Sequence, residues 1–152
     1  MLMKLYHGTD ITSATAIMVE GVDVSKGGGE LGQGFYLGDL EYRSYLWAYQ
    51  QHGAQAAIVE MEMEEDDITD ERRFSLHLIQ SKEEAYKIKK EIKNAGGTRT
   101  HLFGVDIVWS PVIGGGVVRE ADVLPLFNQF KFESEKAGDY LNSTSVKTTI
   151  SR

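Results

Sequence analysis

Residues 57–64 read Ala57-Ile58-Val59-Glu60-Met61-Glu62-Met63-Glu64. Ala57, Val59, Met61 and Met63 fall on alternate positions, with Glu60, Glu62 and Glu64 after them in turn. Successive strand side chains point to opposite faces, so this is a half-buried β-strand with an acidic outer face. Toward the N-terminus, a helix starts after Asp39, and its Leu40, Ser44, Trp47 and Ala48 share one side by i, i+4, i+7, i+8 spacing. Before it stand a brief strand, Phe35-Tyr36-Leu37, and a glycine-rich loop from Lys26 to Gly34. Ile11, Ala14, Ile17 and Met18 recur at helical spacing, with Asp10 to cap the start and Gly21 to end it. Leu2 to His7 reads as a strand closed by a turn at Gly8-Thr9-Asp10.

Toward the C-terminus, Ala85, Ile88, Ile92 and Ala95 form the stripe of a helix over Lys82 to Asn94. Ser81 caps it and Gly96-Gly97 stops it. Val105 to Trp109 is expected to be a strand, Pro111 to Gly116 a turn region, Val123 to Phe132 an extended run and Ser134 to Leu141 a short closing helix. Residues 142–152 form a polar tail predicted to be disordered. Strands and helices mix without strict βαβα alternation. That favours an α+β fold with a largely antiparallel sheet over a doubly wound parallel one.

Composition narrows the function. A chain of 152 residues has room for one domain, here residues 1–141. Sixteen Lys and Arg against 23 Asp and Glu leave a net charge of −7. Sequence-blind binding to phosphate backbones needs clustered basic residues, so nucleic acid is not the expected partner, and Arg72-Arg73 is too small a footprint. Without cysteine there is no disulfide scaffold, thiolate zinc site or Cys nucleophile. No apolar run reaches the ~18 residues of a membrane span. No secretory leader is legible, so cytoplasmic residence is expected, with export by a dedicated secretion system as the alternative. Gly27-Gly28-Gly29 is followed by Glu30, which would repel a pyrophosphate, and Lys26 precedes the glycines instead of following them. Neither a dinucleotide fingerprint nor a P-loop is present.

Three places carry chemistry when read together: Leu5-Tyr6-His7-Gly8-Thr9, Gly34-Phe35-Tyr36-Leu37-Gly38-Asp39 and Phe127-Asn128-Gln129-Phe130. Singly, each has a plain structural reading. In this order and context, the sequence resembles the ADP-ribosyltransferase superfamily. The resemblance is to its His-Tyr-Glu branch of diphtheria-type toxins and poly(ADP-ribose) polymerases, and within that branch to small bacterial domains. It runs from Leu5 to about Leu141. Tyr6-His7-Gly8-Thr9, Gly32 to Leu37 with Trp47-Ala48, Asp106-Ile107-Val108 before Pro111, and Asn128-Gln129 carry it.

The resemblance implies a split antiparallel core with flanking helices and NAD, as substrate, in the cleft. His7 would bond a ribose hydroxyl on the adenosine side, Gly8 would present backbone to the nicotinamide carboxamide, and Thr9 would offer a hydroxyl to the adenosine ribose. Tyr36 would stack on the nicotinamide ring. Trp47, eleven positions on, supplies the second aromatic, and Ser44, on the same helix face, the hydroxyl for the carboxamide. The implied activity is mono-ADP-ribosyl transfer to a macromolecule, taken to be a protein, with NAD hydrolysis as a side reaction and a toxin-like or regulatory role. No metal is implied.

Gln129 departs from the pattern. The branch has glutamate there, which grips a nicotinamide-ribose hydroxyl and favours the cation that develops on the sugar. An amide bonds the hydroxyl without the charge, and at an effective dielectric of ~20 a charge 4 Å away is worth about 4 kcal/mol. The alternative reading is therefore a weak or inactive module that binds NAD or ADP-ribose. Glu133, at even offset from Gln129, could restore the charge, but a solvated strand-end carboxylate is its simpler reading. The acidic run Glu62 to Asp67 reads as a solvated edge. His52, His77 and His101 lack paired ligands at helical spacing. Ser143-Thr144-Ser145 matches an element of the other transferase branch, but the Glu-x-Glu that branch also needs does not follow it.

Overall fold

The computed structural model describes residues 1–112 and 124–152, with backbone alone at 124–126. Strand β1 (Leu2–Asp10) lies antiparallel to β5 (Ala56–Glu64) along its whole length, from Leu2 opposite Glu64 to Asp10 opposite Ala56. The expected turn at Gly8-Thr9-Asp10 does not form, because β5 supplies ladder partners for all three. Asp10 instead caps helix α1 (Ile11–Glu20), accepting from the Ser13 N–H at 2.8 Å, and Gly21 ends it at φ 88°.

The glycine-rich loop is a small hairpin of β2 (Gly28–Gly29) and β3 (Gly32–Gln33), which leads into β4 (Phe35–Gly38). Helix α2 (Glu41–His52) follows and lays its buried Ser44 and Ala48 across β1 and β5. Gly8 permits that crossing, since a Cβ there would collide with the Ser44 carbonyl. After β5 come α3 (Glu65–Thr69), β6 (Leu76–Leu78) and α4 (Lys82–Asn94). Then come β7 (Ile107–Val112), β8 (Leu124–Phe132), α5 (Glu135–Leu141) and β9 (Lys147–Ser151). Helix α4 is the crossover that the parallel β6–β7 pair requires. Strand β7 continues through Pro111 to Val112, with a register shift between them, where a turn was expected. The rest of that turn region, and Val123, lie outside the described residues.

Among the described residues the result is a mixed α+β fold with five α-helices. Its mostly antiparallel seven-stranded sheet has the order β6-β7-β8-β4-β1-β5-β9. The sheet is nearly parted in the middle, because β1 and β4 meet at one pair, Tyr6 opposite Gly38. Phe35 and Leu37 face the main core with Leu5, Val59, Met61 and Phe132, while Tyr36 faces the second cluster of Leu31, Ile79, Ala85 and Val108 beside α4.

Two further expectations need correction. The tail is not disordered: β9 pairs with β5 from Glu62–Lys147 to Ile58–Ser151, and Ile150 packs on the core. Its polar composition hid this, because an edge strand is recruited by the open backbone groups of its neighbour. The acidic run is not simply an edge. It enters α3, where Asp67 accepts from the Tyr140 hydroxyl at 2.9 Å.

Candidate functional site

A pocket of about 230 Å³ opens where β1 and β4 part. His7, Gly8, Tyr36, Ser44, Trp47 and Gln129 all line it, although they come from four separate elements. Thr9 is not brought in. The ladder that runs past the expected turn holds it opposite Ala57, buried and outside the lining.

His7 closes the gap between the two halves of the sheet. Its Nδ1 lies 2.8 Å from the Tyr36 carbonyl oxygen. A carbonyl only accepts, so Nδ1 carries the proton and Nε2 is left as an acceptor. The ring stacks on Phe35, with centroids 4.3 Å apart. Burial lowers its pKa and outweighs the opposing pull of the carbonyl, so the imidazole is neutral at pH 7.

The two aromatics differ in support. The Tyr36 hydroxyl donates to the Gly32 carbonyl at 2.6 Å and accepts from the Leu31 N–H at 3.0 Å. Burial pushes its pKa far up, so the phenol stays neutral and its ring is fixed. Trp47 stands at the rim, 53% exposed, its ring near perpendicular to that of His52. Ser44 is buried below it.

In the Asn128-Gln129 pair, the two side chains do separate jobs. Asn128 ties β8 to the start of α2: its backbone N–H and Nδ2 each donate to the Asp39 carboxylate at 3.0 Å. Gln129, 7% exposed, donates from Nε2 to Oε1 of Glu30 at 2.6 Å. The second oxygen of Glu30 lies 3.2 Å from Lys89 Nζ. Glu133 is neither solvated nor in the pocket. It is buried, pairs with Lys131 Nζ at 2.7 Å, and accepts from the backbone of Phe103 and Gly104.

Sequence reasoning missed the lining side chains Tyr6, Glu30, Val112 and Phe127 and the glycines Gly28, Gly29 and Gly38. Phe127 was legible, since it shares the strand face of Gln129 at i, i+2. Tyr6 adjoins His7 and carried no separate signal. Glu30 had none, because a glycine-rich loop has no periodicity from which to place it. Among the described residues, no group of three or more His, Asp and Glu could hold a metal. Nor is any helix long and apolar enough to cross a membrane.

The site can take a flat ring against aromatic walls, fix its polar substituent with Ser44 and backbone, and offer an imidazole acceptor and a carboxylate nearby. At 230 Å³ it is smaller than the ~300–1,000 Å³ clefts that enclose whole ligands, which suits one ring of a larger molecule. No protein-family model, curated protein or solved structure matches the chain.

Proposed function

We propose that the protein is an NAD-dependent mono-ADP-ribosyltransferase, with an ADP-ribosyltransferase-like fold, that modifies a macromolecular acceptor, a protein in the first instance. The observation that carries this reading is the convergence of His7, Tyr36, Ser44, Trp47 and Gln129 on one pocket at the parting of the sheet. The pocket receives the nicotinamide ring between Tyr36 and Trp47, and Ser44 holds the carboxamide. His7 accepts a ribose hydroxyl at Nε2. The C–N bond between ribose and nicotinamide breaks with its electron pair moving to the ring nitrogen, which becomes neutral as the sugar becomes oxocarbenium-like. An acceptor nucleophile bonds the sugar carbon and loses its proton, and water in that role gives hydrolysis. Stacking contributes about 0.5–1.5 kcal/mol, and orientation and electrostatics supply the rest.

Labelled NAD incubated with the protein and a cell lysate should leave label on a macromolecule and free nicotinamide in solution. Absence of both transfer and hydrolysis would overturn the enzyme reading. The neutral amide of Gln129 favours a second reading, an NAD- or ADP-ribose-binding module without turnover. Calorimetric binding of NAD with nicotinamide release at background would select it.

A further inference from the structure

The reaction proposed above needs an anion near the sugar, and Gln129 is not one. Among the described residues that line the pocket, Glu30 is the acidic side chain. Its side chain is 14% exposed, and that of its partner Lys89 is 10% exposed. A buried charge is costly unless paired and hydrogen-bonded, and this one has both supports: Gln129 on Oε1 and Lys89 on Oε2. A carboxylate presents about four lone-pair sites, the acceptor chemistry that a sugar hydroxyl needs.

The hairpin that carries Glu30 is fastened on both sides of it. Gly29 N–H donates to the Thr98 carbonyl at 2.9 Å, and Gln33 N–H to that of His101 at 3.0 Å. Leu31, fully buried, donates to the Tyr36 hydroxyl and accepts from Lys131 Nζ at 2.8 Å. A Cβ on Gly29 would strike the Tyr36 ring at 2.8 Å, so the hairpin lies directly against the aromatic wall. The carboxylate is held against Gln129 by a hairpin that packs on Tyr36, on supports that are themselves locked.

We infer that Glu30 supplies the charge that Gln129 lacks. It is the catalytic carboxylate that steadies the developing sugar cation, and Gln129 and Lys89 are positioning residues that aim it. Lys89 sits on the buried face of α4 with Ala85 and Ile92, four and three residues away. This assignment rests on the transferase reading, and its test separates the two.

The test measures nicotinamide release and calorimetric affinities for NAD and for its reduced form, whose nicotinamide carries no positive charge. Wild type, Glu30→Gln, Glu30→Asp, Gln129→Glu, Gln129→Ala, Lys89→Met and Lys89→Arg are compared, with thermal unfolding as the check on folding. Glu30→Gln should lower kcat by roughly 100- to 1,000-fold and abolish any preference for the oxidised form. Glu30→Asp should fall between it and wild type. Gln129→Glu should slow the reaction, because it sets two carboxylates where an amide now donates. Gln129→Ala and Lys89→Met should lower kcat more than they raise KM, and Lys89→Arg should restore the rate.

If Glu30→Gln stays within about threefold of an active wild type while Gln129→Glu accelerates it, the inference falls and the transferase reading stands. If wild type binds NAD without turnover, the affinity ratio decides. A preference lost in Glu30→Gln supports the assignment, and an unchanged ratio overturns it. If wild type neither binds NAD nor releases nicotinamide, the transferase reading falls and takes the assignment with it.

Discussion

The Nδ1–H of His7 donates to the carbonyl of Tyr36 at 2.8 Å, across the line where β1 and β4 stop pairing. A side chain thus replaces the missing ladder bonds between the two halves of the sheet. The same bond fixes the tautomer and leaves Nε2 as an acceptor on a side chain that lines the pocket. One bond therefore both joins the halves of the sheet and sets the tautomer of a pocket-lining side chain.

His7 carries a pH signature. Burial sets the folded-state pKa of His7 below its ordinary 6.5. Below pH 6.5 the unfolded chain binds a proton that the folded chain refuses, so this contribution to stability is present above that value. It is lost as pH falls toward the folded pKa. Denaturant unfolding should show wild type losing stability more steeply than His7→Asn as pH falls below about 6.5. Parallel curves would refute the account.

Trp47 is exposed at the rim, and its removal should cost ligand affinity without costing the fold. Trp47→Ala should weaken NAD binding roughly three- to tenfold while the unfolding midpoint stays put. A large fall in midpoint would show that the indole is structural.

Gly8 is required by the close crossing of α2 over β1. Gly8→Ala should destabilise by about 1–3 kcal/mol even without ligand, because the new methyl meets the backbone of Ser44. Wild-type stability with impaired NAD binding would assign the glycine to ligand approach instead.

Glu133 tests the distinction between buried support and active carboxylate. Removing it leaves the buried Lys131 without its counter-charge and frees the backbone of Phe103 and Gly104. Glu133→Ala should cost about 3–5 kcal/mol in chemical unfolding. A fully stable variant would show that the pair contributes little.

Truncation after Ser145 should destabilise the domain by roughly 2 kcal/mol or more, since it strips β9 from the edge of β5 with Val146 and Ile150. An unchanged thermal midpoint would mean that the strand is dispensable.

Much of the fold was legible because it rests on local rules. The period-two run at 57–64 and the period-3.6 stripe of α4 each report a buried face directly. Asp10, Ser81 and Ser134 each accept the backbone bond that starts the helix after them. The polar edge strand β9 and the extension of β1 past Gly8 were not legible, because ladder partners decide them and the strand's own residues do not.

The sequence alone determined the α+β class and picked out, besides Thr9, the six residues His7, Gly8, Tyr36, Ser44, Trp47 and Gln129, whose residue types and order are local information. Tertiary structure alone decided that these six share a hollow, that Thr9 is left out, and that Glu30 stands against Gln129 from 99 positions away. The physical reason is range. Side-chain periodicity reports which face of an element is buried, but which distant charge comes to meet a buried amide depends on how the packed elements close around it.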